Sequence, residues 1–166
     1  MKTIVYLVGA GPGDPGLITQ KALSLISNAD AIVYDYLSNP TLLKNAKASC
    51  SLVNAGKRLG FKAMSQDQIN RKLVSLAKKG IGTVVRLKGG DPLLFGRGGE
   101  EAEYLKKNRI KFEIVPGVTS AIAVPAYAGI PITHRDITST VSIVTGHEDP
   151  LKNKSTIDWP GLAKSK

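Results

Sequence analysis

One cysteine in 166 residues rules out an internal disulfide and leaves a structural zinc site without the thiolates it uses. Cys50 reads instead as a small buried hydrophobe rather than a nucleophile. Aromatic residues make up only 5% of the chain, and no arginine-rich run is interleaved with them. The stacking platforms of single-strand nucleic-acid binders are therefore missing. No apolar run approaches the roughly 18 residues of a membrane span. Met1-Lys2-Thr3 leads directly into a strand pattern with no signal-peptide layout, so a cytoplasmic protein is expected.

What the chain has in excess is positive charge, with 23 Lys and Arg against 13 Asp and Glu and a net charge of +10. Such a balance attracts polyanions, either nucleic acid or a small molecule carrying many carboxylates or phosphates. The lysines are spread from Lys44 and Lys47 through Lys78 and Lys79 to Lys106 and Lys107, which is the distribution of a solvated surface. The small-molecule reading is the stronger one. Hydrophobic residues at 42% and charged residues at 22% are ordinary for a soluble globular protein. The length suits one domain, or one domain and part of another.

Short apolar runs alternate with helical patterns. Ile4 to Val8, Ala31 to Tyr34, Leu52 to Ala55, Val84 to Leu87 and Phe112 to Val115 predict buried strands. Leu17 to Ile26, Gln66 to Ala77 and Gly99 to Lys107 predict helices between them, with Ser65 and Thr119 as N-caps. The fold class is α/β, a mostly parallel sheet flanked by helices. Gly129 to Asp136 breaks the rhythm, and Ser139 to Val144 predicts a fresh strand. This places an N-terminal α/β lobe in residues 1–136 and the incomplete start of a second α/β lobe in 137–166, so that the chain is expected to stop inside that second lobe.

Five segments carry possible chemistry. Arg86 to Glu101 gathers five glycines, two arginines, a lysine and three carboxylates on one predicted loop at the end of a strand, where open α/β sheets bind small molecules. Its glycines, Gly89, Gly90, Gly96, Gly98 and Gly99, permit positive φ and close approach of a ligand. Gly11, Gly13 and Gly16 formally satisfy the dinucleotide fingerprint G-x-G-x-x-G. Pro12 and Pro15, however, remove N–H donors, and Asp14 puts a negative charge where a pyrophosphate would sit. That loop suits a neutral or cationic ligand, or is simply a tight turn.

Asp35 ends the second strand as a base, a hydrogen-bond acceptor or a helix cap. Lys57 and Arg58 end the third strand, facing the same crevice or solvent. Thr119 and Ser120 open a helix whose N-terminus offers hydroxyls and N–H groups to a carboxylate or ribose.

Gly9 to Thr19, Val33 to Asp35, Gly56-Lys57-Arg58, Arg86 to Glu101 and Val115 to Asp136 together resemble the tetrapyrrole methylase family, over about Ile4 to His147. The blocks Arg-Leu-Lys-Gly-Gly-Asp-Pro and Gly-Ile-Pro-Ile-Thr-His-Arg-Asp are specific within it; Gly-Pro-Gly-Asp-Pro is shared more widely. The resemblance implies S-adenosylmethionine-dependent methylation of uroporphyrinogen III at two ring carbons, giving precorrin-2 for siroheme or cobalamin synthesis. It implies two α/β lobes with the methyl donor between them, a homodimer, and no metal.

On the family pattern, Pro12, Gly89, Gly90, Asp91, Leu94, Thr119 and Ser120 match positions contacting S-adenosylmethionine or S-adenosylhomocysteine. Asp35 matches a proton acceptor and Lys57 a proton donor. Arg58, Arg97, His134 and Arg135 are candidates for the substrate, whose eight carboxylates give the basic balance a partner and suit bidentate guanidinium clamps. Because the second lobe stops early, the chain by itself is expected to bind the methyl donor weakly and not to turn over. Two rival readings are a ribosomal RNA methyltransferase of the wider class, with steeply salt-dependent RNA binding, and a non-catalytic dinucleotide-binding module.

Overall fold

Five short apolar runs become five strands, all parallel, in one sheet of order β3-β2-β4-β1-β5. The strands are β1 Ile4–Gly9, β2 Ala31–Tyr34, β3 Ser51–Asn54, β4 Thr83–Lys88 and β5 Lys111–Val115. The helices are α1 Gln20–Asn28, α2 Gln66–Lys78, α3 Gly98–Lys107, α4 Ser120–Tyr127 and α5 Trp159–Lys164. This computed structural model describes residues 3–56, 63–146, 155 and 157–164.

A parallel sheet is stable when both faces are covered, and the strand sequences are apolar in a way that requires it. Val8, Ile32, Val85 and Leu87 point to one face, against Ala22 and Ile26 of α1 and Leu42 of a 3-10 turn at Pro40–Asn45. Val5, Leu7, Val33 and Val84 point to the other, against Ile69, Leu73 and Val74 of α2 and Leu105 of α3. Cys50 packs partly buried against the first cluster, and burial raises its thiol pKa.

Local chemistry sets where the helices begin. α1 starts at Gln20, three residues later than the apolar spacing predicts, because the Thr19 hydroxyl accepts from Ala22 N at 3.2 Å. Pro15–Leu17 forms a separate 3-10 turn in which Asp14 accepts from Gly16 N at 2.7 Å. Ser65 caps α2 as expected, in a reciprocal capping box with Gln68.

Right-handed crossovers then decide the geometry of the C-terminal edge. α1 leaves β1 on one face toward β2, while α3 leaves the adjacent β4 on the opposite face toward β5. The chain leaves β1 and β4 for opposite faces of the sheet there, and such a switch point is where ligands enter open α/β sheets.

The chain divides into two compact units, Met1–Ser120 with the whole sheet and Ala121–Lys166. In the second, α4 ends at Tyr127 and Gly129 follows it with a φ of 70°, which suits glycine. A tight turn follows, with His134 N donating to Thr138 O at 3.2 Å and Thr138 N to His134 O at 3.0 Å. The strand expected over Ser139 to Val144 is absent: residues 139–144 belong to no ladder among the described residues. Alternating apolar residues make a strand only when a neighbouring strand takes their backbone groups.

Candidate functional site

The segment from Arg86 to Glu101 is not one loop. Arg86 and Lys88 belong to β4, residues 89–97 form the loop, and Glu101 lies in the first turn of α3. The loop is clasped to the one after β1: Gly90 N donates to Gly11 O at 2.7 Å and Gly11 N to Gly90 O at 3.2 Å. Gly90 takes φ 64°, but its neighbours serve a different need. A Cβ on Gly9 would lie 2.6 Å from the Gly117 backbone and the Gly90 carbonyl, and one on Gly89 would lie 2.5 Å from Leu37 Cβ. The loops after β2, β4, β1 and β5 thus meet at backbone contact. Phe95 and Arg97, not glycines, occupy the other left-handed positions of the loop, at φ 54° and 57°.

Asp91 ties this junction together. Its Oδ1 accepts from Leu93 N at 2.8 Å and Leu94 N at 3.2 Å, and its Oδ2 accepts from Gly117 N at 3.0 Å. Three N–H groups that a phosphate would use are therefore claimed by a carboxylate of the chain itself. Asp14 claims Gly16 N in the same way, and Pro12 and Pro15 have no N–H. The rim is built of carboxylates and carbonyls, which disfavours a pyrophosphate and fits a cationic group. Thr119 and Ser120 stand where β5 hands over to α4.

Asp35 follows β2 at the same edge, with its side chain 25% exposed. Its Oδ1 accepts from Leu37 N at 3.2 Å and from Ser38 Oγ at 3.1 Å, and its Oδ2 faces Arg86 Nη2 at 3.4 Å. Arg97 is exposed and paired with Glu100 through two bonds of 2.7 Å. The guanidinium lowers the Glu100 pKa through that hydrogen bond. Arg97 therefore meets an anionic ligand only in exchange for Glu100. Lys57 and Arg58 lie outside the described residues. His134 and Arg135 sit exposed in the turn of the second unit, where His134 Nδ1 is 2.7 Å from Arg135 O.

Beneath this edge lies a feature that sequence reading missed. Arg86, Lys88 and Glu101 are all buried, at 2%, 3% and 0% exposure. Glu101 Oε1 accepts from Arg86 Nε at 3.1 Å, Lys88 Nζ at 3.0 Å and Gln66 Nε2 at 3.1 Å. Glu101 Oε2 has no partner among the described residues. Burial, then the neighbouring Arg86 charge, push the Lys88 pKa down, with Glu101 opposing. The signal was the period of two in β4: Val84, Arg86 and Lys88 share one face, so the two cations had to enter the sheet-to-helix layer with Val84.

A profile of the Tetrapyrrole (Corrin/Porphyrin) Methylases matches residues 4–163. This chain belongs to the tetrapyrrole methylase family. It is 59% identical over 160 residues to a Methanosarcina barkeri protein described as S-adenosyl-L-methionine-dependent uroporphyrinogen III methyltransferase, covering 96% of this chain and 62% of that one. Among solved structures it resembles uroporphyrin-III-C-methyltransferase from Thermus thermophilus, with 45% identity and a TM-score of 0.71 over 82% of this chain and 57% of that one. A second Thermus thermophilus structure, of that enzyme complexed with S-adenyl homocysteine, matches at 43% identity and a TM-score of 0.67, over 82% and 52%. This tetrapyrrole methylase chain thus spans between half and two thirds of the length of these relatives.

Proposed function

We propose that the protein is an S-adenosylmethionine-dependent methyltransferase acting on uroporphyrinogen III at two ring carbons, with precorrin-2 as product for siroheme or cobalamin synthesis. The observation that carries this reading is the rim of the β1, β4 and β5 loops, where Asp14 and Asp91 occupy the N–H groups a phosphate would need. Residues 1–136 form the first lobe and 137–166 the start of a second. Pro12, Gly89, Gly90, Asp91, Leu94, Thr119 and Ser120 hold the methyl donor, the glycines by admitting it against bare backbone.

The donor, when bound, supplies a methyl group already activated on a sulfonium. The chain's own residues then have two tasks, to orient the pyrrole carbon and to manage its proton. Asp35, at the mouth and reachable from solvent, accepts the proton that the methylated carbon releases. Lys57 donates. Arg58, Arg97, His134 and Arg135 receive the substrate's carboxylates, which also accounts for the net charge of +10. The enzyme works in the cytoplasm as a homodimer.

Incubating the full-length protein with uroporphyrinogen III and S-adenosylmethionine gives a dimethylated product by mass spectrometry; an unmodified macrocycle would overturn the assignment. Residues 1–166 alone, which span 62% of the Methanosarcina relative, bind S-adenosylhomocysteine more weakly than the full-length protein in isothermal titration. Equal affinities would show that the first lobe holds the whole donor site.

A further inference from the structure

Four charged groups meet where β2, β4 and α3 converge, and their arrangement is more than charge balance. Arg86 is a strand residue with a side chain 3% exposed, and every edge of its guanidinium is engaged. Nε donates to Glu101 Oε1 at 3.1 Å, Nη1 to Leu87 O at 3.1 Å and Val33 O at 3.4 Å, and Nη2 to Asp35 Oδ2 at 3.4 Å. Two backbone carbonyls and a fully buried carboxylate fix the plane, so the outward edge has one orientation. That edge faces Asp35, which is 25% exposed.

Replacing a buried ion cluster of this kind by apolar residues of similar volume is often neutral or stabilising. Core stability therefore gives no reason for an arginine here. The carboxylate it touches does give one. Asp35 Oδ1 is already held by Leu37 N and Ser38 Oγ. Arg86 adds a charged partner on Oδ2, so both oxygens of the carboxylate are held, one by the β2 loop and one by the buried cluster.

We propose that Arg86 is a positioning residue for Asp35, held in place by Glu101, so that the buried cluster aims the Asp35 carboxylate at the reacting carbon. This deepens the methyltransferase reading above and rests on it. Lys88 balances the second negative charge, leaving two cations against Asp35 and Glu101. A lysine at position 86 keeps the charge but gathers its donors on one nitrogen, so it lacks the planar fork that spans Glu101, the two carbonyls and Asp35. Arg86→Gln removes one charge and leaves Lys88 and Glu101 as a neutral buried pair, which gives a second variant should the first fail to fold.

The test compares wild type, Arg86→Lys and Arg86→Gln in the full-length protein. The expected result is a turnover number lower by about tenfold to a hundredfold, with KM for uroporphyrinogen III and affinity for S-adenosylhomocysteine within twofold of wild type. A readout free of catalysis is nitrogen NMR of the Arg86 guanidinium. Its Nη2 protons are resolved by hindered rotation in wild type and merge in Asp35→Ala, while the Nη1 protons, held by the Val33 and Leu87 carbonyls, and the Nε proton, held by Glu101, stay put. Wild-type turnover in both position-86 variants, or Nη2 signals unchanged in Asp35→Ala, would overturn the positioning role while leaving the methyltransferase assignment standing. An inactive wild-type protein would overturn the assignment and the role together.

Discussion

The two faces of β4 show two ways of filling the same sheet. Val85 and Leu87 turn toward α1 and pack into an apolar cluster. Val84, Arg86 and Lys88 turn toward α2 and α3, where the layer begins apolar at Leu73 and Leu105 and becomes ionic toward the C-terminal edge. Apolar contacts are non-directional and tolerate small shifts. An ion cluster has one good geometry, and it sits on the face and at the end where Arg86 meets Asp35.

Breaking the ionic face has the largest expected effect. Glu101→Leu leaves Arg86 and Lys88 buried without their main counter-charge and costs about 3–5 kcal/mol, read from urea unfolding. Leu87→Ala on the apolar face costs about 3 kcal/mol, with the guanidinium signals of Arg86 unmoved. A Glu101→Leu variant that unfolds like wild type would erase the contrast.

The smallest effect sits on an exposed rim of the sheet. Asp30 accepts from Thr83 N at 2.7 Å and pairs with Lys47, and the Lys47 hydrogen bond, then that backbone bond, lower its pKa below 3.8. The unfolded chain therefore binds this proton more tightly, so the stabilisation is fully present above about pH 4 and is lost as pH falls through the folded value. Asp30→Asn is expected to flatten the fall of the unfolding midpoint below about pH 4 by a small amount, because the pair is partly screened by solvent.

Much of this architecture is legible in the chain. Apolar runs such as Ala31 to Val33 predict strands because only a doubly covered sheet buries them. Asp35 reads as a site residue because it closes such a run. The start of α1 differs from its pattern because apolar spacing continues through Leu17 and Ile18, whereas the Thr19 hydroxyl settles the first turn. The glycines of the β4 loop look alike in sequence, yet Gly90 is needed for its φ and Gly89 for the space that Leu37 fills. Residues 139–144 alternate like a strand and form none, since the partner that makes a strand is not encoded in the segment.

The order of strand and helix patterns, and the glycine and proline loops at strand ends, were determined by the sequence alone, because they depend on neighbours a few residues apart. Which charges are buried and paired was decided by the tertiary structure. Arg86 reaches Asp35 across 51 positions and Glu101 across 15. Those contacts exist because the crossovers set β2 beside β4 and lay α3 over it, and no local pattern reports a strand order.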